Sequence, residues 1–122
     1  NGRDWNSFLR DQVGDQAEQL RGFLASDQLV IWAGDFNNSL LEPIPDNYRE
    51  GTALLRTELE TLGFEAWNRS ALHANGEMHT IDLICGPAAV DVGGTRTISR
   101  VHAATGAVLS DHLGYVVDLH LP

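Results

Sequence analysis

Apolar residues at Trp5, Phe8, Leu9, Val13, Ala17, Leu20 and Leu24 recur at steps of three and four. That spacing draws the stripe of an amphipathic helix over residues 5–24, with Arg10, Asp11, Glu18 and Arg21 on its other faces. Gly14 inside the pattern costs about 1 kcal/mol relative to alanine. The period then changes. Leu29 to Ala33 is an unbroken apolar run, which predicts a strand buried on both faces, as in the middle of a layered α/β structure. Pro43 and Pro45 make residues 42–47 a loop. A second helix is predicted from Thr52 to Leu62, with Leu55, Leu59 and Leu62 on one side and Gly63 placed as its stop.

The second half of the chain is richer in strand patterns. In "TIDLIC", Ile81, Leu83 and Cys85 alternate with Thr80, Asp82 and Ile84, one set on each face. "TRTISRV" is a weaker strand pattern, preceded by Gly93 and Gly94 as turn glycines. "GYVVDLHL" sets Tyr115, Val117, Leu119 and Leu121 on one face and Asp118 and His120 on the other. Helices and strands in this order predict an α/β fold with helices packed on a sheet.

Composition narrows the picture. A chain of 122 residues with 43% hydrophobic content suits one domain with a real core. No repeat or linker divides it. No apolar run has membrane-spanning length, and no signal-peptide pattern opens the chain; a start at Asn1 reads as a piece of something longer. The net charge is −9, and all eight basic residues are arginine. So acidic a surface would repel a phosphate backbone, which argues against a stand-alone nucleic-acid binder. The single cysteine, Cys85, excludes an internal disulfide, and its place in a strand pattern predicts a small buried hydrophobe rather than a nucleophile.

Three polar spots interrupt or abut apolar strands. Asp35 and Asn37 follow the run at 29–33, and in an extended segment residues i and i+2 point the same way, towards one ligand. Gly34 between strand and carboxylate leaves room for close approach to the backbone. The plainer alternative is a strand that ends in a "GD–NN" turn. Asp82 lies within a strand, where a carboxylate needs hydrogen bonds or a charged partner unless its face is open to solvent. Ser110-Asp111-His112 sets an acid and an imidazole side by side before the last strand, a pair suited to metal ligation and proton transfer.

Taken together and in order, "GDFN", "TIDLI" and "SDH" before an apolar terminal strand resemble the endonuclease/exonuclease/phosphatase superfamily. The resemblance covers essentially the whole chain but only the C-terminal half of that family's domain. It implies the deoxyribonuclease-I-like fold, here half of a four-layer α/β sandwich with one mixed sheet and helices on one face. It implies a metal-dependent phosphoesterase, and it assigns catalytic roles to Asp35, Asn37, Asp82 and His112. Asp35 would orient or deprotonate the attacking water or hold a metal, and Asn37 would hydrogen-bond the scissile phosphate. Asp82 would pair with His112 and favour its charged form, and His112 would donate to a phosphate oxygen. The implied metal is Mg2+, with Mn2+ or Ca2+ as alternatives, held by Asp35, Asn37 and Asp111. The implied substrates are nucleic acid, phospholipid or a small phosphodiester, and the acidic balance leans towards the latter two.

The resemblance also has gaps. The family's N-terminal half, with an asparagine, a metal-binding glutamate and a histidine or tyrosine, has no counterpart here. His79 and Thr80 stand where an arginine is usual. The expectation is therefore a fragment inactive or feeble alone, whose partners are the missing half of its domain or a second copy on the exposed apolar face. The rival reading is a non-catalytic interaction module that keeps the fold. His73, His79, His102 and His120 show no zinc spacing among themselves or with Cys85, and are read as ordinary surface or strand-face histidines. Trp5, Trp32 and Trp67 are read as core rather than as a base-stacking platform. Asn37-Asn38-Ser39 and Asn68-Arg69-Ser70 match the glycosylation pattern, which is short enough to arise by chance.

Overall fold

A computed structural model describes residues 5–24 and 28–122, with side chains from Arg10 onwards in the first stretch. Helix α1 spans Trp5–Arg21 and helix α2 spans Arg49–Leu62. Strand β1 is Trp32–Asp35, β2 is Phe64–Ala66 and β3 is Asp82–Pro87. Strands β4, Asp91–Ile98, and β5, Gly114–His120, complete the fold. The α/β class holds. The single mixed sheet does not: the strands form a three-stranded sheet in the order β1-β3-β2 and a separate β4-β5 ribbon, both antiparallel.

The helical stripe packs through its middle, but α1 stops at Arg21, and Leu24, the last residue of the expected stripe, lies in a turn and is exposed. Val13 and Ala17 of α1 are buried, as are Leu55, Leu59 and Leu62 of α2. These side chains meet Trp32, Phe64, Leu83 and Cys85 of the three-stranded sheet in one core. Each large apolar side chain buried there is worth about 1.5–3 kcal/mol of transfer free energy. Trp32 packs edge-on to Phe36 with ring centres 4.9 Å apart, and its indole N–H donates to Gln16 Oε1 on α1 at 2.9 Å. Trp32 and Trp67 are core residues; the side chains of Trp5, Phe8 and Leu9 lie outside the described residues. Cys85 is fully buried, and burial pushes its thiol up to about 12, as a structural cysteine requires.

Helix α2 begins three residues earlier than its apolar stripe, because a 3-10 turn at Asp46–Tyr48 runs straight into it. It ends at Gly63, which adopts φ 70 and donates its N–H to the carbonyls of Leu59 and Glu60. That left-handed stop is the role the glycine predicted.

The run at 29–33 is the main correction. Val30 packs on the core and Trp32 is buried, whereas Ile31, Ala33, Gly34 and Asp35 are exposed. Among the described residues both helices lie on the Trp32 side of the sheet, so the run is covered on one face only. Strand β4 also differs from expectation. Gly93 and Gly94 lie inside it, where a shift of register between Val92 and Gly94 takes up the irregularity. Strand β2 was not foreseen; Phe64 and Ala66 point inwards about a half-buried Glu65.

Candidate functional site

The β1–β3 register sets Asp35 directly opposite Asp82, and Ala33 opposite Ile84. Opposed residues share a sheet face, so the two carboxylates lie on the face that the helices leave uncovered. Like charges directly opposed on neighbouring strands are destabilising. A positive charge nearby would offset that repulsion.

His112 can supply that charge when protonated. Its Nδ1–H donates to Asp82 Oδ2 at 2.5 Å, across 30 residues of chain. The hydrogen bond to Asp82 holds the His112 pKa above its ordinary 6.5. Partial burial opposes the shift, and the charges of Asp82, Asp111 and Asp35 reinforce it. Asp111, almost fully exposed, places Oδ1 3.9 Å from His112 Nε2, beyond hydrogen-bond range. With Nδ1 committed to Asp82, Nε2 is the nitrogen free to donate to a ligand.

The backbone of Asp82 is clamped from two sides. Thr80 Oγ1 accepts from the Asp82 N–H at 3.0 Å and donates to the Asp82 carbonyl at 3.2 Å. Asn68, fully buried, donates from Nδ2 to the Asp82 carbonyl and accepts from the Ile84 N–H on Oδ1, both at 2.9 Å. Its amide thereby extends the β2–β3 ladder beyond Ala66↔Cys85. A buried amide with both ends engaged is a structural residue, which disposes of Asn68-Arg69-Ser70 as a glycosylation site in the folded chain.

Asp35 and Asn37 do come together, but not along an extended strand. Strand β1 stops at Asp35. Asn37 takes a left-handed φ of 54, and its N–H donates to Asp35 Oδ1 at 2.8 Å. The turn reading therefore holds: the side chain of Asp35 organises the turn that carries Asn37. A Cβ built at Gly34 meets no atom within 4 Å, so the glycine leaves open space beside Asp35. A cleft of about 280 Å³ runs along this face, lined by Ala33, Gly34, Asp35, Asp82, Ile84 and Tyr115 among others.

Two residues here carry no signal in the sequence. Tyr115 donates its hydroxyl to the Leu72 carbonyl at 2.6 Å, tying β5 to the loop that follows β2. Burial and the Asp82 charge raise its pKa, against a hydrogen bond with Thr80. His73, read as an ordinary surface histidine, is half-buried and stands edge-on to His112, ring centres 5.4 Å apart. His79 instead turns its Nδ1 towards the Leu41 carbonyl at 3.3 Å, and His102 and His120 are exposed.

Asp35, Asn37 and Asp111 carry oxygen donors of the kind magnesium takes, commonly one or two carboxylates with waters and substrate phosphate completing its shell. Among the described residues the group of three His, Cys, Asp or Glu side chains that lies within ligand reach is His73, Asp82 and His112. Compared with protein-family models, curated proteins and solved structures, the chain matches none.

Proposed function

We propose that this chain is the C-terminal part of a deoxyribonuclease-I-like domain whose complete form is a metal-dependent phosphoesterase. One observation carries the reading. Asp35 and Asp82, from separate motifs, sit opposite each other on one sheet face, and His112, from a third motif, hydrogen-bonds to Asp82 there. Chance motifs on an unrelated α/β domain have no reason to converge so.

In this reading Asp82 fixes the imidazole of His112 and stabilises its charged form. His112 Nε2 then donates to a non-bridging phosphate oxygen and stabilises charge that develops in the transition state. Asp35 receives the proton of the attacking water or orients it, its carboxylate already steadied by the Asn37 N–H. Asn37 offers a neutral amide to the phosphate, where another carboxylate would repel it. Asp35, Asn37 and Asp111 would hold the magnesium ion, which supplies positive charge to the phosphate oxygens when bound. The apolar surface at Leu29 and Ile31, exposed beside β1, is the face that the other half of a sandwich would cover.

The test is magnesium-dependent hydrolysis of bis-p-nitrophenyl phosphate by the full-length protein, with Asp35→Ala and His112→Ala alongside. The expected result is a loss of at least about a hundredfold in each variant, the scale of a lost acid–base or charge-stabilising group. The isolated 122-residue chain is expected to be feeble. Full activity in both variants would overturn the assigned roles, and no magnesium-dependent activity in the unaltered full-length protein would leave the non-catalytic module.

A further inference from the structure

We propose that His73, Asp82 and His112 form a binding site for a borderline divalent transition ion of the zinc class, distinct in place and chemistry from the magnesium donors. One ligand atom from each of the three lies within 4.8 Å of the other two. Two imidazoles and one carboxylate are a donor set that zinc accepts with a fourth position left open, whereas magnesium prefers oxygen throughout.

The state of His73 points the same way. Its Nδ1 is buried and has no hydrogen-bond partner among the described residues. A buried ring nitrogen without a partner is costly, and coordination is one way to satisfy it. The loop that carries it is pinned by backbone hydrogen bonds. The His73 N–H donates to the Met78 carbonyl, its own carbonyl accepts from Gly76, and Leu72 bridges to His79. The ring stands at 86° to that of His112, so the two imidazoles are not stacked flat.

The adjustment needed is small. Ligand atoms about 2.0–2.2 Å from a tetrahedral ion stand roughly 3.3 Å apart. The 2.5 Å contact between Asp82 and His112 must open slightly, and His73 must close in. Zinc then replaces the proton that Asp82 and His112 share. If the phosphoesterase reading holds, the bound ion also removes the imidazolium donor and switches the site off; that consequence alone rests on that reading.

The experiment needs no substrate, so its failure is separate from failure of the phosphoesterase reading. The chain is titrated with Co2+ followed by visible absorption, then with Zn2+ in competition, both in millimolar Mg2+. Zinc-induced shifts of the histidine ring protons are followed by NMR. The expected result is one ion per chain, shifts at His73 and His112, and affinity lowered at least about tenfold in His73→Gln and in His112→Gln, the scale of lost metal-site contacts. His120→Gln, at an exposed histidine on β5, should bind like the unaltered chain. Absence of binding, unmoved His73 and His112 signals, equal affinity in His73→Gln, or loss confined to His120→Gln would each overturn the proposal.

Discussion

The contact between Asp82 and His112 makes a pH dependence that can be worked out by sign. The folded pKa of His112 is raised above 6.5 chiefly by the hydrogen bond to Asp82. Its contribution to stability is therefore fully present below pH 6.5 and fades as pH rises through the folded value. Histidine-ring NMR across that range should give a His112 midpoint above 6.5, and Asp82→Asn should bring it back down. Urea unfolding should show the unaltered chain losing, over the same rise in pH, an advantage that Asp82→Asn never has. On the proposed phosphoesterase reading, the alkaline limb of the full-length protein's pH–rate profile would report loss of the His112 proton, so Asp82→Asn should move that limb to lower pH. A midpoint unchanged in Asp82→Asn would mean that the carboxylate does not hold the proton. The opposed Asp35 is the smaller contributor to the same shift, and Asp35→Asn should lower the midpoint less than Asp82→Asn does.

Strand β3 serves the core with one face and the site with the other, which makes its anchoring a matter for the whole element. Leu83 and Cys85 are buried while Asp82 and Ile84 are half-buried on the site face. Asn68 fixes both backbone groups that would otherwise end the ladder. Removing it by Asn68→Ala strands the Ile84 N–H and weakens support of the Asp82 carbonyl, at a cost of about 2 kcal/mol. The urea midpoint should fall accordingly, and the His112 midpoint should drift towards 6.5 as Asp82 loses its position. Gly86 offers a second test, since a Cβ there would stand 2.2 Å from the Trp67 ring. Gly86→Ala should destabilise by about 1–3 kcal/mol through overpacking. These elements also show what a linear reading reaches. The helices and the Gly63 stop are local, set by steps of three and four and one backbone angle, and they were legible. Asp35, Asp82 and His112 drew notice because each interrupts or abuts an apolar strand. The pairing of Asn68, 14 residues from Asp82, and of Tyr115, 43 from Leu72, follows from register and loop path, which no local pattern encodes. His73 escaped for the same reason. The burial of the run at 29–33 was misjudged because an unbroken apolar run does not say how many layers meet it.

At the scale of the molecule, the chain divides into a packed body and an attached ribbon, with the site at the seam. The body is α1, α2 and the β1-β3-β2 sheet, which share one core. The β4-β5 ribbon keeps most of β4 exposed, and Ile98, Val101, Val108 and Leu109 around it are exposed too. An isolated two-stranded ribbon is marginal in water. Its ties to the body include the hydroxyl of Tyr115 on Leu72 and the imidazole of His112 on Asp82. The proposed catalytic pair is thus also a structural fastening, and attachment of the ribbon and charge on His112 should be coupled. Amide hydrogen exchange should be faster across residues 91–120 than in β3, reflecting a lower cost of local opening. Tyr115→Phe removes one tie at about 1 kcal/mol. It should accelerate exchange in β4 and β5 by roughly fivefold while leaving α2 and β3 unchanged. Raising the pH past the His112 midpoint should loosen the ribbon further, beyond the ordinary base-catalysed rise in exchange. If Tyr115→Phe instead raised exchange equally in β3 and α2, ribbon and body would open as one unit, and the seam would carry no separate role.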